Sequence, residues 1–473
     1  MSRRKLFIEN IFAYGLINLL DKIIPFLLLP IITRILPNAS DYGLYNMFSL
    51  LVGFGTPFAV LGLYDAMFRQ YFEKDDQQYK YDVTTTAQRI ILLSSIIISM
   101  ILVLFSKNIS LLFFGESVHG NIVMLAGVAV FLGANQNIIK APTRMQNERK
   151  VFVFSGLISA TLMYGLSLLL IYIGFSYFGL IYANLIMTLV MVIFFWRRNR
   201  HFFLRGSFDK HIAKVLFKIG LPLLPTFLIY WIYNSMDRIM ITNMLGTNEM
   251  GIYSIGAKMA QVSQLIYAGF AGGWQYFAFS TMKDNDQVDL NSKVFEYLGA
   301  ISIFSLVLVY PFVPYIFKIL FVGDYVLGYV VAPYLYLAPL LLMLFQVAAN
   351  QFLVIKKSYL ATISLSLGSV INIVLNFFLI SKMGIEGAAI ATLIGYLVTI
   401  ITVMIVSHRY KCMKYSKRIL ILLGLIPVYF SIQRIFLLDK LFMQLLLMVG
   451  ISIVILLLYK DEIKSLFRKR VKQ

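Results

Sequence analysis

The sequence predicts an all-α polytopic membrane protein of about fourteen transmembrane helices. Apolar stretches of 18–28 residues recur along the 473-residue chain, separated by short loops. Each is long enough to cross a hydrocarbon core of about 30 Å at 1.5 Å per helical residue. Hydrophobic residues make up 60% of the chain and charged residues only 14%, far from soluble globular usage. Only helices and closed barrels satisfy every backbone polar group within lipid. Barrel strands are about ten residues long and alternate in polarity, a pattern absent from this sequence.

The spans fall at 8–35, 42–67, 85–106, 120–141, 151–173, 178–196, 214–243, 250–280, 294–317, 327–354, 359–380, 384–407, 418–436 and 441–459. With a cytoplasmic N-terminus, the segments on that side hold 33 of the 42 Lys and Arg. The opposite side holds six: Arg34, Lys107, Lys318, Lys382, Arg434 and Lys440. This positive-inside asymmetry places both termini in the cytoplasm and supports the span count, because one spurious helix would scramble it. The net charge of +20 therefore orients the chain and faces anionic membrane lipid; it does not mark a nucleic-acid surface.

Taken in order, span 1 follows Arg3, Arg4 and Lys5 and mimics a signal peptide. Its apolar run is too long, carries Asp21 and Lys22, and has no small-residue cleavage site. Span 2 ends at Asp65 and Arg69 on the cytoplasmic side, where a gate or packing pair is expected. Prolines 25, 30, 222, 225, 311 and 314 interrupt spans 1, 7 and 9. Gly269, Gly272 and Gly273 give span 8 a place to bend or pack closely. The loops are short, the longest outward one being about fourteen residues (107–120). The single cysteine, Cys412, and four scattered histidines exclude a disulfide and offer no metal site, and no cofactor is expected.

An internal repeat relates spans 1–6 to spans 7–12. Tyr42-Gly43-Leu44-Tyr45 returns as Gly251-Ile252-Tyr253, and Ala134-Asn135-Gln136 as Ala349-Asn350-Gln351. Gly179, Ala183, Leu185 and Ile186 match Gly387, Ala391, Leu393 and Ile394, at offsets of 208 to 215 throughout. Six spans per half is even, so the repeat is parallel, as in transporters that rock two bundles around a central site. The expected organisation is an N-terminal bundle over 1–210, a second over 211–410, and two additional helices with a basic tail over 411–473.

Thr33-Arg34-Ile35-Leu36, Tyr42-Gly43-Leu44-Tyr45, Ile219-Gly220-Leu221-Pro222-Leu223-Leu224-Pro225, Asp237-Arg238, Gly251-Ile252-Tyr253-Ser254 and Ala257-Lys258 carry a resemblance. Together with the helix count, they make the chain similar to the bacterial polysaccharide (O-antigen, capsule) flippase branch of the multidrug/oligosaccharidyl-lipid/polysaccharide exporter superfamily. The resemblance implies two six-helix bundles in the cytoplasmic membrane. It implies export of a polyprenyl-diphosphate-linked oligosaccharide, driven by an H⁺ or Na⁺ gradient and working beside a polysaccharide polymerase and chain-length machinery.

Charges inside spans cost about 2.5–3.5 kcal/mol each at mid-membrane and usually face a cavity. Asn18, Asp21 and Lys22 share one face of span 1, and Lys22 lies roughly 21 Å along it. Span 7 offers Tyr230, Asn234, Asp237 and Arg238, and span 8 offers Ser254, Lys258 and Gln261. Lys22, Arg238 and Lys258 are the candidate substrate-binding cations, since Arg forks onto phosphate and Lys serves as a point charge. Asp21 and Asp237 are the candidate ion-coupling carboxylates. Asn135, Gln136, Asn137, Gln346, Asn350, Asn372 and Asn376 are expected either to line a sugar path or to join helices. The fragment Asn18-x-x-Asp21-Lys22 resembles Asn234-x-x-Asp237-Arg238, but its offset of 216 breaks the repeat register and reads as coincidence.

A multidrug or cationic-metabolite exporter is the alternative; it calls for an acidic cavity, whereas Asp21, Lys22, Asp237, Arg238 and Lys258 sum to +1. A polysaccharide polymerase or ligase calls for a large outward loop bearing catalytic Arg or His, which this chain lacks. No P-loop is present for direct ATP drive. The expectation is a transporter, not an enzyme.

Overall fold

The computed structural model describes residues 23–267, 270, 274, 284–437, 440–462 and 464. Among the described residues the chain is helical, without strands. The helices of its first part are α1 (Ile23–Ile35), α2 (Ala39–Val60), α3 (Leu63–Tyr71), α4 (Gln77–Leu104), α5 (Ser106–Phe114), α6 (Gly120–Met145), α7 (Arg149–Leu170) and α8 (Phe178–Leu204). Then follow α9 (Lys210–Gly220), α10 (Leu224–Leu245), α11 (Thr247–Ala260), α12 (Gln287–Val309) and α13 (Val313–Leu320). The last are α14 (Ala332–Val354), α15 (Tyr359–Arg409), α16 (Lys417–Phe436) and α17 (Leu441–Leu458).

Eleven helices among the described residues are long and apolar enough to cross a membrane, and the chain is a multi-pass membrane protein. Spans 1 and 8 of the sequence reading extend outside the described residues, with α1 and α11 as parts of them. The 51-residue α15 contains two spans. Gly384 turns the chain back with φ 62° and ψ −143°, and Asn372 Nδ2 donates to Thr392 Oγ1 at 3.2 Å. A Cβ on Gly368 would meet Gly395 O at 2.5 Å. On one straight helix these glycines would stand about 40 Å apart, so the two arms run side by side.

The prolines of spans 7 and 9 mark interruptions, whereas Pro25 and Pro30 lie inside the unbroken α1 and do not interrupt it. Pro222 lies in a 3-10 turn between α9 and α10, and Pro311 in another between α12 and α13. Span 2 differs from its expected single helix. Leu61 and Gly62 adopt left-handed φ values of 56° and 67°, which end α2 and start α3.

The described residues pack as two units. The first runs to Ser254 and includes Phe321–Tyr325 and Ile380–Ile385; the second holds the remainder. In the first, Met47, Phe48 and Leu51 of α2 are buried, as are Ala87 and Ile91 of α4, Ala126 and Val130 of α6, and Leu180 and Ile181 of α8. Lipid tails are as apolar as these side chains, so close packing and polar bonds join helices in a bilayer. Thr84 Oγ1 donates to Phe202 O at 2.9 Å, and Asn199 Nδ2 to Ile139 O at 2.8 Å. In the second unit Phe295 and Phe352 are fully buried. The apolar window of α17 is only 11% buried, as suits an added helix at a bundle edge.

Two glycine contacts bring backbone onto backbone within the first unit. A Cβ on Gly43 of α2 would lie 3.0 Å from Gly251 N of α11, and a Cβ on Gly251 would lie 2.6 Å from Ala39 C. Beside them the Ser40 and Thr247 hydroxyls bond at 2.5 Å. At the other contact, a Cβ on Gly220 would lie 2.7 Å from Leu61 O, and one on Gly62 would lie 2.9 Å from Gly220 C. Backbone cannot yield as a side chain can. We expect Gly251→Ala to destabilise the detergent-solubilised protein by at least about 1–3 kcal/mol, the usual cost of overpacking. Exposed Gly53, whose added Cβ would meet nothing within 4 Å, serves as control: Gly53→Ala should leave stability unchanged or raise it by up to about 1 kcal/mol. Thermal unfolding read by intrinsic fluorescence checks both.

Candidate functional site

The candidate site is built on α10, which starts just after the Pro222 turn and is closed at its far end by Gly246 with φ 97°. Its two faces differ. Tyr233, Asp237 and Ile241 are buried, whereas Tyr230 and Asn234 are exposed and Arg238 is half-buried. Spacing of four places Tyr230, Asn234 and Arg238 in one stripe. A stripe carrying Arg and Asn would cost several kcal/mol if it faced lipid.

Asp237 is held from both sides of its carboxylate. Tyr253 Oη of α11 donates a short hydrogen bond to Oδ2, and the Arg238 amide donates to Oδ1 at 2.8 Å. The Arg238 guanidinium lies within electrostatic reach of Asp237 and of the Tyr42 hydroxyl on α2. Among the described residues it has no ion-pair partner within 4.0 Å.

A second feature of the same unit escaped the sequence reading. A cavity of about 310 Å³ opens among α1, α6, α7 and α8. Gln136 and Lys140 of α6 line it at i, i+4, facing Ser155, Ser159 and Tyr164 of α7. Lys140 lies at the end of span 4, where a count of charges along the chain assigns it to the basic side and not to a helix face. Its spacing from Gln136 was the signal that places both on one face.

The other candidates divide. Asn135 is buried and donates to Ser95 Oγ at 3.0 Å and Phe131 O at 2.8 Å; it joins α6 to α4 and does not line an open face. Asn372 and Asn376 are buried at the turned-back arms of α15, where Asn376 Nδ2 donates to Asn372 Oδ1 at 3.3 Å. Gln346 donates to Tyr267 Oη. Asn137 and Asn350 are half-buried, and buried Gln351 accepts from Gln287 Nε2 at 2.8 Å. Lys258 and Gln261 belong to the second unit, with Lys258 half-buried near the end of α11 and Gln261 in the turn beyond it. Asp65 and Arg69 are both exposed on α3 and form neither an ion pair nor a side-chain hydrogen bond among the described residues. Asn18, Asp21 and Lys22 lie outside the described residues, as do Gly269, Gly272 and Gly273. Among the described residues no cluster of His, Cys, Asp and Glu is arranged to hold a metal.

Residues 31–330 match the family described as Polysaccharide biosynthesis protein. The chain belongs to that family. No curated protein matches it. Among solved structures it is similar to the lipid II flippase MurJ in an inward closed conformation, with 15% identity, coverage of 96% of this chain and 99% of that one, and a TM-score of 0.66. It is also similar to an inward-facing multidrug resistance MATE family transporter of the MOP superfamily, with 15% identity, 87% and 95% coverage, and a TM-score of 0.63. The Vibrio cholerae MATE transporter VcmN in its bent form shares 13% identity over 88% of this chain and 97% of that one, with a TM-score of 0.54. At such identities the likeness is one of fold. This member of the polysaccharide biosynthesis family thus shares its fold with those flippase and transporter structures.

The two neighbours on α10 should respond differently to substitution. Tyr253→Phe removes the donor to a buried carboxylate and should lower stability by about 1–3 kcal/mol. Arg238→Gln breaks no ion pair among the described residues and should stay within about 0.5 kcal/mol of the parent. Thermal unfolding in detergent checks the ranking, and the reverse order contradicts this description of the site.

Proposed function

We propose that the chain is a flippase that moves a polyprenyl-diphosphate-linked oligosaccharide from the inner to the outer leaflet of the cytoplasmic membrane, for surface polysaccharide biosynthesis. The observation that carries this reading is the open cationic stripe of α10, ending at Arg238, in a member of the polysaccharide biosynthesis family. A diphosphate head cannot cross about 30 Å of hydrocarbon unaided. A water-filled path with fixed cations replaces its hydration, and the polyprenyl tail stays in lipid.

Lys140 lies about 8 Å from the basic-side end of α6, and Arg238 about 10 Å from the opposite end of α10. They are two stations for the phosphates at different depths. Lys140 is a compact charge beside the hydroxyls of Ser155, Ser159 and Tyr164, and Arg238 offers the bidentate fork. Asn234 and Gln136 present amides to sugar hydroxyls beside each station. The cycle is alternating access, and Asp237 is the carboxylate whose proton or Na⁺ binding couples it to an ion gradient. Both termini are cytoplasmic, and the released unit passes to polymerase and chain-length machinery.

Depleting the protein in its host should trap full-length lipid-linked repeat units on the cytoplasmic leaflet and abolish surface polymer, both read by mass spectrometry. Normal polymer with altered drug susceptibility would replace this reading by a cation exporter. Complementation with Lys140→Gln or Arg238→Gln should restore polymer at a rate about 10- to 100-fold below the parent, the worth of one charge-assisted contact of about 1.5–3 kcal/mol. Asp237→Asn should abolish the response of transport to an imposed pH or Na⁺ gradient. An unchanged response would remove Asp237 from the coupling role.

A further inference from the structure

We infer that the second unit carries a separate carbohydrate site, which binds one neutral sugar ring beside the Glu386–Arg434 ion pair. The inference rests on the flippase reading for the source of that sugar. A cavity of about 290 Å³ lies where the turn after α12, the start of α14, the second arm of α15 and the end of α16 meet. All these segments end on the same membrane face, which the charge asymmetry assigns to the outside.

The walls are chemically specific. Tyr310, Tyr329 and Tyr334 present rings to the cavity, and Tyr334 is fixed by stacking on Phe430 at 4.4 Å between centroids. Glu386 is 8% exposed; its Oε1 accepts from Tyr334 Oη at 2.8 Å and from the Arg434 guanidinium. Arg434 remains 39% exposed in its side chain, so part of its donor fork is open. Gln433 is 1% exposed and lines the same cavity. Its Nε2 donates to Tyr429 Oη at 3.0 Å, whereas its Oε1 has no partner among the described residues.

A buried amide oxygen without a donor is the exception in folded proteins and is evidence for a missing partner. Aromatic rings take up the C–H face of a pyranose, and its hydroxyls both donate and accept. The Gln433 oxygen therefore receives a hydroxyl, and the open Arg434 fork donates to one. Size and charge narrow the ligand further. The volume is at the small end of ligand pockets, enough for a single ring and not for a glycan chain. Glu386 neutralises Arg434, so the site suits an uncharged sugar and not a phosphate. A pair serving packing alone would be sealed, whereas this one opens on a cavity. Its place in the cycle is to hold one sugar of the oligosaccharide on the side of release.

The test uses the full chain in lipid nanodiscs and ligand-observed saturation-transfer NMR. Glucose, galactose, rhamnose and N-acetylglucosamine are titrated separately, with inorganic phosphate as competitor. Tyr329 has no hydrogen-bond partner among the described residues and is half-buried, so Tyr329→Ala keeps the fold, as thermal unfolding verifies. At least one sugar should bind saturably, Tyr329→Ala should weaken it about tenfold, Arg434→Lys should weaken it too, and phosphate should not displace it. No saturable sugar, unchanged binding in Tyr329→Ala, or displacement by phosphate overturns the inference. Translocation of a lipid-linked oligosaccharide, measured on the same protein in proteoliposomes, separates the two readings. Translocation without sugar binding sinks this site alone. Site-dependent sugar binding without translocation sinks the flippase reading and leaves the site standing.

Discussion

Backbone lies directly on backbone where Gly43 of α2 meets the start of α11, and the rest of the first unit depends on that contact. A side chain at Gly43 or Gly251 would occupy the space of Thr247 or Ala39 main-chain atoms. The approach fixes the depth at which the α10–α11 hairpin sits against α2. That depth in turn sets Tyr253 over Asp237 and leaves Arg238 beside Tyr42. The contact of Gly62 with Gly220 fixes the other end, where α9 gives way to α10 through the Pro222 turn. Helices in a bilayer gain little from excluding water, so such close approaches are what hold them in register.

The two glycines at the first contact are partners in the sequence repeat, 208 residues apart. The repeat thus brings its own equivalent positions together. One residue out of that register, the Ser40 and Thr247 hydroxyls bond beside the contact. Near this seam Tyr325, in the 3-10 helix Gly323–Val330 before α14, donates to Leu36 O and Asn38 O at 2.9 Å each. These bonds satisfy carbonyls at the turn between α1 and α2, where helix ends leave them unmatched.

Much of this was legible in the sequence, for reasons that differ by element. Apolar length gives the spans, because the bilayer sets their dimension. Pro222 and Pro311 gave the interruptions of α10 and α13, because a proline ring excludes helix geometry locally. The elbow at Leu61 was not legible: a leucine at φ 56° carries no sequence signal, and it is held by contact with Gly220. Lys140 was hidden by its position near a loop, since charge counting along the chain does not report which face a residue occupies. Asn135 looks the same in sequence whether it lines a path or clamps helices, and only its bond to Ser95 decides. Tyr253 was part of a recognised motif, but its pairing with Asp237 needed the fold.

The functional account reduces to Arg238, half-buried and without an ion-pair partner among the described residues, and one carboxylate beside it held by a neighbouring helix. The most direct measurement is translocation of a polyprenyl-diphosphate-linked oligosaccharide by the purified chain in proteoliposomes, read by enzymatic access to the sugar from the far side. The account predicts transfer that an ion gradient accelerates and that Arg238→Gln largely removes. Absence of transfer in the parent, or transfer equally fast in Arg238→Gln, would contradict it.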